Sequence, residues 1–263
     1  MFCPCSDNSK SNSLYKINHE NESKIDVRCT SHNTANSKHW KPNLFKCTKC
    51  SLIFSEYIGV DFEDSYSHVV DEAYINQIEF KTKTFKLFFS KIRQYLNHDS
   101  DILEIGSYYG ILGNIIKSHV NSYTGLELSK HAAQYSKKKF SLNIINQSLK
   151  EFSKSEFRFD AIIMTDVIEH LDKPFETLNL IQRNLKPNGI LILSTFDIDS
   201  MIPRIMRSKY YWIIPMHKYY FSNSTLKRFL NKSNLNLFKI KTDTRLISLE
   251  YLFNTLIALM PKL

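Results

Sequence analysis

The spacing of apolar positions changes character near residue 100. Before it, Ile75, Ile78, Phe85, Phe88, Phe89, Ile92 and Leu96 recur with helical spacing and predict one amphipathic helix over 75–96. A polar break, Asn97-His98-Asp99-Ser100, ends that pattern. After it, short apolar runs alternate with helical ones. Strands are predicted over 101–105, 122–128, 142–146, 159–165 and 190–195. Helices are predicted over 111–119, 130–139 and 175–185, the last stopped by Pro187-Asn188-Gly189. A helix over 224–231, a strand over 237–242 and an apolar stretch over 249–260 complete the pattern. Such alternation implies an α/β fold: a doubly wound, mostly parallel, Rossmann-like sheet with helices on both faces.

Composition adds little to this. Hydrophobic residues make up 43% and charged residues 23% of the chain, ordinary for a soluble globular protein. The polar start, Met1-Phe2-Cys3-Pro4-Cys5, lacks the apolar core of a secretory signal. Apolar runs such as 256–260 fall far short of the ~20 residues a membrane helix needs. A cytoplasmic location without stable membrane insertion is expected.

The cysteines change the picture at one end. All five, Cys3, Cys5, Cys29, Cys47 and Cys50, lie in the first fifty residues. In a reducing compartment thiolate metal binding is the better reading. Cys47-Thr48-Lys49-Cys50 has the spacing that lets two sulfurs reach one tetrahedral zinc. Cys3-Pro4-Cys5 is one residue shorter, and Cys29-Thr30-Ser31-His32 offers an alternative pair. The first choice for a structural zinc is Cys3, Cys5, Cys47 and Cys50.

The first predicted strand ends in Glu104-Ile105-Gly106-Ser107-Tyr108-Tyr109-Gly110 and runs into a helix. A doubly wound sheet binds ligands beyond the carboxyl ends of its strands. Gly106 permits a tight turn, and the helix amino terminus presents free N–H groups to a ligand carboxylate. The middle glycine of the usual pattern is replaced by Tyr108. The next strand ends in Glu127-Leu128-Ser129, where an acid can accept hydrogen bonds from both ribose hydroxyls. These two features fit a dinucleotide as well as a methyl donor.

Two later stretches separate those readings. Phe159-Asp160-Ala161-Ile162-Ile163-Met164-Thr165-Asp166-Val167-Ile168-Glu169-His170-Leu171 is followed by Leu185-Lys186-Pro187-Asn188-Gly189. With Met216-His217-Lys218-Tyr219-Tyr220-Phe221-Ser222, they resemble class I S-adenosylmethionine-dependent methyltransferases, in particular the ubiquinone-pathway O-methyltransferases. The resemblance implies a zinc-ribbon-like segment over 1–60, a helical connector over 61–99 and a methyltransferase domain over 100–263. It implies that Glu104, Gly106, Ser107 and Gly110 surround the methionine part of the cofactor. Glu127 and Leu128 would hold the ribose, Ser148 and Leu149 flank the adenine, and Asp166 line the methionyl amine. Such proteins also carry a final antiparallel strand inside the sheet, for which this sequence offers no candidate.

Methyl transfer to oxygen benefits from a general base, and His170 and His217 are the candidates. Charge then suggests the acceptor. Residues 201–241 hold nine basic side chains and no acidic one, equal to the whole net charge of +9. With Tyr210-Tyr211-Trp212 beside them, they suggest a small anionic acceptor: a nucleotide-linked sugar, a glycan precursor or a prenylated ring acid. A nucleic-acid (RNA) methyltransferase is the rival reading, and a truncated, impaired cofactor-binding member is another. An NAD-binding oxidoreductase is disfavoured by Tyr108 and by the fourth-strand motif.

Overall fold

A computed structural model describes residues 3, 5, 9–16, 41–58, 66–243, 245 and 246. Cys29 and His32, the alternative ligand pair, and the stretch 249–260 lie outside the described residues. In chain order, three short strands come first: β1 (Ser11–Tyr15), β2 (Leu44–Cys47) and β3 (Ile53–Ser55). The helix expected over 75–96 forms as α1 (Glu72–Asn76), α2 (Ile78–Ile92) and a closing 3-10 turn. Then follow β4 (Asp101–Ile105), α3 (Ile111–Ile116), β5 (Ser122–Leu126), α4 (Lys130–Phe140), β6 (Ile144–Ile145), α5 (Leu149–Phe152), β7 (Phe159–Thr165) and α6 (Pro174–Asn184). The described elements end with β8 (Leu185–Ser194), α7 (Met201–Met206), β9 (Tyr219–Tyr220) and α8 (Asn223–Lys232).

The large sheet is parallel, in the order β6-β5-β4-β7-β8. Successive side chains of a strand point to opposite faces. Ile102, Ala161 and Ile163 therefore pack with Phe88, Phe89 and Ile92 of α2 and with Leu112 and Ile116 of α3. Leu103, Ile105, Ile162 and Met164 face the other way, with Leu178 and Ile181 of α6 and Phe229 of α8. This is the doubly wound architecture that the alternating pattern implied. β8 leaves α6 at once and bulges, so that Phe159 pairs with Leu185 but Ala161 with Ile190. The Pro187–Gly189 break makes that bulge. Lys186 there bonds Asp101 and Asp160 at 2.8 and 2.7 Å.

Two details depart from expectation. Residues 237–242 are described but form no strand. Phe238 and Ile240 are exposed, so their alternation finds no sheet to join. The third strand shrinks to two residues. Among the described residues, β8 is the edge of the large sheet, with no strand paired to its far side.

The second sheet is antiparallel, ordered β1-β2-β3-β9. It packs on the α6 and α8 side, where Cys3, Cys5, Cys47, Cys50, Leu52 and Phe54 share a cluster with Tyr219, Phe221 and Phe229. Its last strand comes from residues 219–220, so the late segment completes the amino-terminal sheet.

Candidate functional site

The chain order reverses around β4, since β5 and β6 lie on one side of it and β7 and β8 on the other. The carboxyl ends of these strands form the crevice where such sheets hold ligands. Gly106 and Gly110 both take φ +72°. A Cβ on Gly106 would stand 2.6 Å from Val167 Cγ2, so the loop and the end of β7 approach too closely for any side chain. Tyr108 takes φ +46°, a left-handed conformation where a glycine would sit without strain. Its ring meets Tyr74 edge-on at 4.7 Å, and its hydroxyl donates to Asp71 at 2.9 Å.

Glu127 ties this loop to β5. Its carboxylate accepts from the Tyr108 N–H and the Ser129 N–H, both at 2.7 Å. Burial pushes its carboxyl up to about 6, against those backbone N–H bonds. Glu104 lies deeper. It accepts from the Tyr123 hydroxyl, and burial raises it to about 8. Ser107 is buried beside it. Leu128 follows Glu127, and its carbonyl accepts from Asn146 Nδ2 at 2.8 Å. Ser148 and Leu149 begin α5. Ser148 forms a capping box with Glu151, and Leu149 is buried in the core. Both therefore have structural work at the rim of the crevice.

Beyond β7 the chain turns at Asp166, φ +55°, whose N–H donates to Ser194 O at 3.0 Å. Its carboxylate receives both nitrogens of the Arg245 fork at 2.5 and 2.6 Å. Three residues on, Glu169, His170 and His217 come together, with one ligand atom of each within 4.8 Å of the others. The two imidazole rings are 4.6 Å apart. Glu169 is 1% exposed, and its Oε2 finds no hydrogen-bond partner among the described residues. Burial, reinforced by the Asp166 charge, pushes it up to about 8. His170 Nδ1 lies 3.1 Å from Met216 O and 2.9 Å from the Tyr66 hydroxyl. His217 Nδ1 lies 2.8 Å from Trp212 O, and its ring stacks on Phe196. A carbonyl only accepts, so in neutral His170 and His217 the hydrogen sits on Nδ1 and the basic lone pair on Nε2.

The family described as a methyltransferase domain matches residues 76–240. The chain belongs to that family. This methyltransferase is 33% identical over 103 residues to the mitochondrial ubiquinone biosynthesis O-methyltransferase of Schizosaccharomyces pombe, covering 36% of this chain and 38% of that one. It is 28% identical over 127 residues to the ubiquinone biosynthesis O-methyltransferase of Rickettsia typhi, covering 46% and 49%. The chain thus spans less than half the length of either relative. Its fold is shared with a SAM-dependent methyltransferase from Archaeoglobus fulgidus, at TM-score 0.53 and 21% identity, over 71% of this chain and 91% of that one.

The methyltransferase also gathers four of its cysteines in one cluster, three of them close enough to share an ion. Cys3, Cys5, Cys47 and Cys50 are all buried. The sulfurs of Cys3, Cys47 and Cys50 lie within 4.8 Å of one another, with Cys3 and Cys50 at 3.5 Å. Zinc bonds of ~2.3 Å in a tetrahedron set edges of about 3.8 Å between sulfurs. Lys49 and Cys50 each donate a backbone N–H to Cys47 Sγ at 3.3 Å. Burial, then the neighbouring Cys50 and Cys3, pushes the Cys5 thiol up to about 12. Crowded, buried sulfurs of this kind fit a soft divalent cation.

Several residues around the crevice escaped the sequence reading. Tyr66, Asp71, Tyr74 and Arg245 come from segments far from the motifs. Asn146 and Phe196 are nearer, but neither residue type signals a site. Tyr74 and Tyr66 offered only aromatic side chains in a stretch read as a connector.

Proposed function

We propose that this methyltransferase moves the methyl group of S-adenosylmethionine to an oxygen of a small anionic acceptor. A nucleotide-linked sugar, a glycan precursor or a prenylated ring acid has the required chemistry. The observation that carries the reading is the cluster of buried Glu169 and His217 with half-buried His170 beyond β7. In it His170 or His217 would take the acceptor proton on Nε2, with Glu169 held neutral by burial beside them.

The cofactor would lie across Glu104, Gly106, Ser107 and Gly110, with its ribose at Glu127 and Leu128 and its adenine near Ser148 and Leu149. Asp166 would meet the methionyl amine. Bound there, the sulfonium supplies the electrophilic carbon, and the chain supplies alignment and proton removal. The left-handed glycines support a ligand held close to the backbone. Arg245 supports an anionic acceptor, because it brings a guanidinium to the same crevice. Cys3, Cys5, Cys47 and Cys50 would hold a structural zinc.

Calorimetric titration with S-adenosylmethionine and with NAD tests the cofactor. Binding of NAD alone would overturn the reading. Methyl transfer to phosphorylated and unphosphorylated acceptors, with His170→Ala and His217→Ala as controls, tests the acceptor class. A nucleic-acid acceptor is the second reading, favoured by exposed Arg204, Arg207, Lys209, Lys227 and Arg228. Salt-sensitive RNA binding lost on changing those residues would move the conclusion there.

A further inference from the structure

The two sheets meet the candidate site from different sides. Glu104, Gly106 and Glu127 stand on or just beyond β4 and β5, which pair only within the large sheet. His217 stands two residues before β9, which among the described strands pairs with β3 of the small sheet. The connection back to the cysteines is short. Cys47 N donates to Leu52 O at 2.9 Å, closing the turn that holds Cys50. Ile53 and Phe54 then pair with Tyr220 and Tyr219. Ser55 N donates to Lys218 O at 2.9 Å, and Lys218 N donates to Glu169 O at 2.8 Å. The backbone of Lys218 thus joins the cysteine hairpin on one side to the buried carboxylic acid on the other. His217 is its immediate neighbour.

We infer that the cysteine-bearing sheet is the mount that positions His217, through the β3–β9 pairing, while cofactor binding is left to the large sheet. His217 is here a base whose orientation depends on a hairpin that a metal at the cysteines would hold shut. Glu169 moves with it, because Lys218 N is bonded to its carbonyl. The inference rests on the reading of His217 as the acceptor-side base. It deepens that reading by giving the amino-terminal segment a task in the reaction.

The test uses the full chain with Trp40→Phe, which leaves Trp212 as its one tryptophan. Trp212 reports on His217 directly, with the rings stacked at 5.8 Å and the Trp212 carbonyl bonded to His217 Nδ1. Zinc content is measured, the metal is stripped with a chelator, and Cys50→Ala and Ser55→Pro are made in parallel. Ser55→Pro removes the N–H donated to Lys218 O without touching a cysteine. The expected result is a shift in Trp212 emission and easier quenching by acrylamide on stripping and in both variants. Affinity for S-adenosylmethionine should stay within about threefold, about 0.65 kcal/mol.

Unchanged Trp212 emission in all three cases overturns the inference. So does cofactor affinity lost in step with the emission change, which would make the small sheet a general stabiliser. Protein that purifies without zinc sinks the metal reading, and Ser55→Pro then decides the mount by itself. No binding of S-adenosylmethionine to the unaltered chain would instead count against the proposed function.

Discussion

Arg245 grips Asp166 with both guanidinium nitrogens, at 2.5 and 2.6 Å, across the end of β7. The arm that delivers it is fastened to α2. Lys91 bonds Asp243 at 3.1 Å, and Leu246 N donates to Thr84 Oγ1 at 3.0 Å. If Asp166 receives the methionyl amine, guanidinium and amine compete for one carboxylate. The Arg245 side chain is 42% exposed, so the pair contributes only about 0.5–1 kcal/mol. Arg245→Ala should therefore tighten S-adenosylmethionine about two- to fivefold in a calorimetric titration. Weaker binding would make Arg245 part of the cofactor site.

Gly106→Ala should cost both stability and cofactor affinity. The residue sits at φ +72°, where an alanine loses about 1–2 kcal/mol. The added methyl also meets Val167 Cγ2 at 2.6 Å. The double variant with Val167→Ala removes that clash but leaves the dihedral cost. Urea unfolding should show partial recovery in the double variant. A Gly106→Ala protein as stable as the parent would contradict the loop geometry.

The parts of this molecule legible from sequence are those with local signals. Ala161, Ile162, Ile163 and Met164 are all at most 1% exposed, and an unbroken apolar run announces such a strand. The two glycines announced the turn after β4. By contrast, Phe238 and Ile240 alternate with lysines like a strand, yet both are exposed. Period-two patterning gives a segment the ability to pair and says nothing of a partner. β9 was hidden for the converse reason. Two residues carry no period, and their partners are Ile53 and Phe54. The trio beyond β7 was half legible. Both histidines were picked out by chemistry, but Glu169 stood only as one letter of the fourth-strand motif, and only the fold buries it against them.

Stability should fall as pH rises. Burial, partly offset by the Tyr123 hydrogen bond and reinforced by Glu127, holds Glu104 at about 8 against an ordinary 4.5. A carboxyl raised on folding favours the folded state while it is neutral. That contribution is complete below pH about 4.5 and is lost as pH climbs through about 8. It amounts to on the order of a few kcal/mol. Melting temperatures should drop between pH 5 and pH 8, and Glu104→Gln should flatten part of the slope. Glu169, raised to about 8 in the same way, accounts for another part. An unchanged slope in Glu104→Gln would show that this carboxyl is ionised in the folded protein.

The basic stretch over 201–241 is not uniform, and one of its members tests how it is used. Arg204, Arg207, Lys209, Lys227 and Arg228 are exposed, as a solvated face would have them. Lys218 is 1% exposed and pairs with Asp172, whose side chain is 22% exposed. The two ends of that pair are therefore unequal. Asp172→Asn takes the Asp172 counter-charge from a buried ammonium and should cost about 3 kcal/mol or more in urea unfolding. Lys218→Met leaves a part-exposed Asp172 side chain whose Oδ1 stays buried, and should cost less. The reverse order would mean that the ammonium is held chiefly by other groups. The expected order would show that this lysine serves the fold, which leaves exposed members of the stretch such as Arg204, Arg207, Lys209, Lys227 and Arg228 to meet an anionic acceptor.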